Sequence, residues 1–446
     1  MHGFAVLLAL LRFASAVPSS LVLRDNQHGF TVAHAGQVGD IVITKQNTLN
    51  GTYHMGRPKT INRYVTSKSM NFEFVNNFGG GRLKAYVQGL DSQGKVVFVK
   101  SDGTLYYPSS GQSSIPVGIN NDEIAIDLPE RGRNLKMKLP VPLYSGRVYF
   151  SEGKLDFFMV KTPVGDGLVQ PSVANAADPS AETNWGFVEF TFTPQGTVYA
   201  NISYVDFVGM ILSMSIRAKN NAGTQLTKGL HGGAVQSICD SLRRPSADGR
   251  NWEALCIADG AGRPIRVISP NIYAVMDPED FKDYWQGYVD EVWQHFSNRN
   301  LTIDTQGSAG KVQCRVRGSQ MSCDGDNRHY DKPSARDIWG CNSGTFGKQD
   351  GDNDIHLAVI ARLCAAFNRS TLLLSGGDVQ PECAAAHYYG VNPTNAYSRL
   401  VHENEVDGKG YAFSYDDVNP DGENASGLLT SEQPDTLTIY VGEPPS

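Results

Sequence analysis

The first 238 residues contain no cysteine; all seven lie between Cys239 and Cys383, so any cross-links belong to the second half of this 446-residue chain. None shows the CxxC or Cys/His spacing of a zinc site, and neither a metal nor another cofactor is expected. Beyond residue 16 no stretch reaches the ~18 consecutive apolar residues of a membrane-spanning helix, so no membrane partner is expected. Charged residues make up only 19% of the chain, the formal net charge is −7 and no Lys/Arg cluster offsets it, which argues against a nucleic-acid partner. Helical periodicity is also missing from the first half. What the chain has instead is glycine and proline, 46 and 22 residues, the punctuation of a sheet-rich protein with many turns.

Residues 1–16 hold an apolar run ending in Ala14-Ser15-Ala16, which reads as a secretory signal cleaved after Ala16. Asn-x-Ser/Thr acceptors begin at Asn50, Asn201, Asn300, Asn368 and Asn424, as suits a secreted, extracellular glycoprotein. Asn201 is expected to stay unmodified or to face outward. Cys314 and Cys323 flank Gly318-Ser319 symmetrically, and a two-residue turn there sets them directly opposite across a hairpin, close enough for a disulfide. Cys239 with Cys256 is a second candidate pair; Cys341 has Cys364 or Cys383 as partner, leaving one thiol over.

Short alternating runs bounded by Gly, Asn, Asp and Pro recur from about residue 29 to 215, among them 83–88, 95–99, 123–128, 147–150 and 155–160. They predict an antiparallel sandwich or barrel. Gly79-Gly80-Gly81 lacks the strand-to-helix context and GKS/T ending of a phosphate loop and reads as a turn. Helical spacing begins later. After Asp277-Pro278, the residues Phe281, Tyr284, Trp285, Tyr288, Val289, Val292, Trp293 and Phe296 recur at i, i+3, i+4, an apolar core face rather than a ligand platform. Residues 354–368 and 232–242 read as further helices, and the run 436–441 as a strand that rejoins the β part. The expected fold class is mainly β with α/β. A signal (1–16) and an N-terminal extension (17–28) precede a β sandwich or barrel (29–215, completed by 405–446). An inserted mixed α/β domain (216–404) lies across a groove.

The passage 184–209 (NWGFVEFTFTPQGTVYANISYVDFVG) carries the most chemistry. Phe187, Glu189, Thr191 and Thr193 share one face of its first strand, while Val188, Phe190 and Phe192 share the other, so Glu189 projects from the side opposite the apolar ridge. Pro194-Gln195-Gly196 supplies a turn. Glu189 then lies opposite Asn201, and Asp206 is about five residues further on, roughly 16 Å away in a flat ladder. Two carboxylates can hydrolyse a glycosidic bond only if they are brought together, which requires the second strand to bend after Ser203, near Gly209. Trp185, Tyr204, Tyr411 and Tyr415 are candidate aromatic surfaces for sugar rings, and Asp416 and Asp417 candidate cleft acids with a competing turn role.

Five separated blocks carry a resemblance: 169–175 (VQPSVAN), 185–191 (WGFVEFT), 201–208 (NISYVDFV), 366–373 (AFNRSTLL), and His402 with 407–413 (DGKGYAF). The chain resembles family 64 of the glycoside hydrolases, the laminaripentaose-producing type of β-1,3-glucanase, related to thaumatin-like proteins. The resemblance implies a thaumatin-like β sandwich or barrel and an endo-acting, inverting hydrolase of β-1,3-glucan, working as a monomer without a cofactor. Glu189 matches the general acid and Asp206 the general base, with Thr191 and Ser203 at substrate-contacting positions; Ser203 stands where threonine is expected. On this reading burial raises the pKa of Glu189 while Asp206 stays ionised. The alternative is a non-catalytic thaumatin-like protein that binds β-glucan with the same groove.

Overall fold

The computed structural model describes residues 30–37, 68–163, 165–221, 223–244, 248–423 and 425–445. The expected signal (1–16), the extension (17–28) and the acceptors Asn50 and Asn424 lie outside these residues.

Two large sheets face each other. One runs in the order Leu429–Ser431, Val198–Ile202, Trp185–Phe192, Leu143–Glu152, Leu83–Leu90, Val96–Val99, Leu105–Tyr106, with Ile126–Asp127 also paired to Leu83–Leu90. The other runs Thr224–Thr227, Leu212–Ala218, Pro434–Gly442, Met70–Asn77, Asn134–Leu139. Alternation decides which side chains meet. Phe72 and Phe74 of the second sheet set their rings edge-on to Phe190 and Phe150 of the first, at centroid distances of 5.3 and 5.2 Å. Burying each such ring is worth ~1.5–3 kcal/mol. Gly146, opposite Phe190, makes room for it: a Cβ there would lie 2.6 Å from the ring.

Among the described residues neither sheet closes on itself, so the barrel alternative is corrected to an open sandwich. Its larger sheet ends in strands of two and three residues, Leu105–Tyr106 and Leu429–Ser431, too short to pair around. The last strand, Pro434–Gly442, lies parallel to Met70–Asn77 and antiparallel to Leu212–Ala218, bringing the chain's end back into the sandwich. Leu212–Ala218 runs straight through residue 215, and Thr224–Thr227 still belongs to the same sheet.

The mixed part carries two smaller sheets and the helices Ala234–Leu242, Gln286–Asn298, Asp354–Arg369 and Ala396–Glu403. The aromatic run forms a core face as its spacing predicts: Trp285, Tyr288, Val292, Trp293 and Phe296 are all buried, while Phe281 and Tyr284 precede the helix and pack around Trp252 and Trp339. Cys314 and Cys323 are direct cross-strand partners and form a disulfide; Cys239–Cys256 and Cys341–Cys364 form two more, leaving Cys383 as a buried free thiol. Asn368 is fully buried, its amide donating to the Ile338 carbonyl at 2.8 Å, which leaves no room for a glycan; Asn300 is exposed.

Candidate active site

Glu189 sits in the middle of Trp185–Phe192, directly opposite Asn201 on one side and Arg147 on the other. The turn at 193–197 closes as the sequence predicts, with the Thr193 and Thr197 backbones paired. The chain then leaves the large sheet at Ile202. Ser203 bridges to Tyr411, the Tyr204 N–H donates to the Tyr411 carbonyl, and Phe207–Val208 pairs with Ile268 and Val267 in a different sheet. This departure is the bend that the pair requires. Gly209 permits it, because a Cβ there would stand 2.2 Å from the Trp185 carbonyl oxygen.

The bend brings Asp206 into the electrostatic field of both Glu189 and Arg147. Arg147 is buried and anchored on three sides. Its Nε and Nη2 donate to Glu189 Oε1 at 3.3 and 3.0 Å, its Nη1 donates to Gln170 Oε1 at 2.7 Å, and the guanidinium lies over the Phe187 ring at 4.7 Å. Tyr149 donates its hydroxyl to the same Gln170 oxygen. The second oxygen of Glu189 accepts from Asn201 Nδ2 at 3.2 Å. Asn201 therefore faces the candidate site, not outward.

Electrostatics departs from the sequence expectation at Asp206. Burial pushes the Asp206 carboxyl above its ordinary range, the Arg147 cation opposes that rise, and the Glu189 charge adds to it. Asp206 is half-buried where its segment folds back over the sheet, and that partial loss of water is what raises it.

Thr191 and Ser203 are half-buried and near the pair, Thr191 two residues along the same face as Glu189 and Ser203 beside Tyr411. Trp185 and Tyr204 are corrected: neither presents a ring to a sugar. Trp185 is wedged among Tyr149, Phe187 and Phe207, 4.6 Å from the Phe207 centroid, and Tyr204 is covered by Gly410. For Trp185 the physical reason is Phe207 folding back over the strand. Tyr411 and Tyr415 are half-buried. Tyr199, which the sequence reading passed over, is 46% exposed directly opposite Thr191; its place on an alternating strand was the available signal. Arg147 and Gln170 were missed as well. Nothing in the sequence marked Arg147, which the structure places buried in the middle of an almost wholly buried strand.

Asp416 is not a cleft acid. It is buried, accepts from the Arg369 guanidinium at 2.9 Å and the Ala412 N–H at 2.8 Å, and pairs with His402 Nε2 at 2.9 Å. Glu405 holds the other His402 nitrogen at 3.0 Å. Burial alone would depress the His402 pKa, but the two carboxylates override it and carry the group up to about 10. This network pins the segment whose Tyr411 carbonyl holds Tyr204, two residues before Asp206. Among the described residues no group of three His, Cys, Asp or Glu side chains is arranged to hold a metal.

Two carboxyl groups in one field, on a face that also bears hydroxyl and aromatic side chains, are the equipment of glycoside hydrolysis. The chain matches the β-1,3-glucanase family of glycoside hydrolases, family 64, over residues 68–441, and belongs to it. Two curated glucan endo-1,3-β-glucosidases, from Cellulosimicrobium cellulans and Arthrobacter sp. (strain YCWD3), are each 28% identical to it over 359 residues. The match covers 77% of this chain and 60% of each relative's length. A solved laminaripentaose-producing β-1,3-glucanase in complex with laminaritetraose superposes with a TM-score of 0.74 at 24% identity, over 84% of this chain and 98% of that one. A β-1,3-glucanase domain from Clostridium beijerinckii superposes at 0.65 and 20% identity with the same coverage. These likenesses establish the fold.

Proposed function

We propose that the protein is a secreted endo-β-1,3-glucanase that cleaves β-1,3-glucan to short laminari-oligosaccharides with inversion. Glu189 acts as general acid and Asp206 as general base. The observation that carries this reading is the bend after Ile202, which takes Asp206 out of the ladder and into the field of Glu189 and Arg147. Glu189 protonates the glycosidic oxygen, and Asp206 takes a proton from a water that attacks the anomeric carbon from the opposite face. Arg147 has a stated task here: its charge opposes the desolvation that would keep Asp206 protonated, and so sustains the base. On this reading Thr191, Ser203, Tyr199 and Tyr411 meet the glucan. The activity named for the curated relatives and the three disulfides, which suit an oxidising extracellular medium, support the reading.

Purified protein should release short oligosaccharides from laminarin whose new reducing ends are α by NMR; β ends would overturn inversion. Glu189→Gln and Asp206→Asn should each lower kcat by roughly 10²–10⁴-fold with the fold retained. Retention on insoluble glucan without any sugar release would leave a binding protein only.

A further inference from the structure

Glu189 has an unequal pair of oxygens. Oε1 accepts two N–H bonds from Arg147, a group that can only donate. Oε2 meets Asn201, whose amide has a donor at one end and an acceptor at the other, exchanged by a half-turn of the side chain. Arg147 has no freedom to follow a proton, because Gln170 holds its far nitrogen and Phe187 lies beneath it. Asn201 is half-buried, and among the described residues its side chain is bonded to Glu189 alone.

We propose that Arg147 and Asn201 divide the Glu189 carboxyl between them. Arg147 fixes Oε1 as a permanent acceptor, and Asn201 turns its amide at Oε2, so that Oε2 is the oxygen that carries and delivers the proton. The inference rests on Glu189 being the general acid. With the acid loaded, the Asn201 carbonyl accepts the Oε2–H bond and points that oxygen into the site. The proton then passes to the glycosidic oxygen as its bond to the anomeric carbon breaks, the bonding pair staying with the leaving sugar. The water oxygen bonds to that carbon and gives its proton to Asp206. Oε2, now anionic, accepts the Asn201 N–H, which is the arrangement seen in the structure. Both Arg147 and Asn201 are positioning residues, since each acts through Glu189.

The two substrates that separate this from a merely structural role are laminarin, whose leaving sugar needs a proton, and a laminari-oligosaccharide bearing a 4-nitrophenolate leaving group, which hardly does. Asn201→Ala should lose roughly 10- to 100-fold in kcat on laminarin, a share of the 10²–10⁴ that acid–base catalysis supplies, and less than about threefold on the nitrophenyl substrate. Its KM for laminarin should stay within about threefold of wild type, the mark of an interaction used only in the transition state. Arg147→Lys, which keeps the charge but cannot reach Gln170 and Glu189 together, should show the same substrate-dependent loss. Equal losses on both substrates, or no loss on laminarin, overturn the proposal. Should Arg147→Lys not fold, the Asn201 comparison decides alone. Wild-type hydrolysis abolished by Glu189→Gln but untouched by Asn201→Ala sinks this inference only, whereas a wild type inert on laminarin sinks the glucanase reading itself.

Discussion

His402 makes the stability of this protein sensitive to alkali in a way that can be worked out from its two partners. Its folded pKa, carried up to about 10 by Asp416 and Glu405 against the opposing effect of burial, lies above the unfolded value of 6.5. A raised pKa contributes stability that is fully present below pH 6.5 and is lost as pH climbs through about 10. At about 1.4 kcal/mol per unit, the contribution is at most about 5 kcal/mol. In a chain of this length each kcal/mol moves Tm by about 1–2 °C, so the full effect is about 5–10 °C. The perturbation is His402→Gln, followed by calorimetry at intervals from pH 6 to 10.5. The variant should melt lower than wild type at pH 6, and the gap should close as pH passes 10, because the wild type then has only a neutral imidazole between the carboxylates. Titrating groups that do not touch His402 cancel in the difference. Two curves that stay parallel across the range would show that His402 is not held as a cation and refute the reasoning.

Trp185→Ala should destabilise by about 3–5 kcal/mol, since the indole fills a cluster with Tyr149, Phe187 and Phe207, whereas Tyr199→Ala should leave Tm nearly unchanged and raise KM for laminarin. The reverse pattern would restore Trp185 as a sugar platform. Gly209→Val should cost about 1–3 kcal/mol by overpacking and lower kcat beyond that, because its Cβ would push the Asp206 segment off the Trp185 carbonyl. A variant with wild-type stability and turnover would show that the close approach does not hold Asp206 in place.

The hairpin was legible because its determinants are local: period-two alternation and a Pro-Gln-Gly turn suffice to set Glu189 opposite Asn201, and the register is the one observed. The Cys314–Cys323 bridge followed from the same kind of argument. Arg147 was not legible, because what gives it meaning is the register of Leu143–Glu152 against a strand some 40 residues away, and alternation within a strand carries no record of its neighbour. Read alone, it was one more charge on a β segment. Gln170 lay inside a block that carried the family resemblance, yet its bond to Arg147 depends on the same non-local pairing. Trp185 failed differently. It was read as an aromatic surface for sugar, but a ring is open only if nothing covers it, and Phe207 does.

That cover also accounts for the electrostatics of the pair. Had the strand after Ile202 run straight on, Asp206 would lie roughly 16 Å from Glu189, fully solvated and without influence on it. The chain turns aside because Phe207 and Val208 gain both backbone partners in the neighbouring sheet and an aromatic surface on Trp185 and Phe187 to bury. Proximity to Glu189 and desolvation of Asp206 therefore arise from one packing event and cannot be separated by moving the segment. Burial of this kind drives Asp206 toward its protonated form, in which it could not act as the proposed base. The buried Arg147 supplies the missing charge from the strand beneath, within the field of Asp206 and in contact with Glu189. A site that gains its geometry by burial needs that cation, which is why a lone arginine stands in an otherwise buried strand.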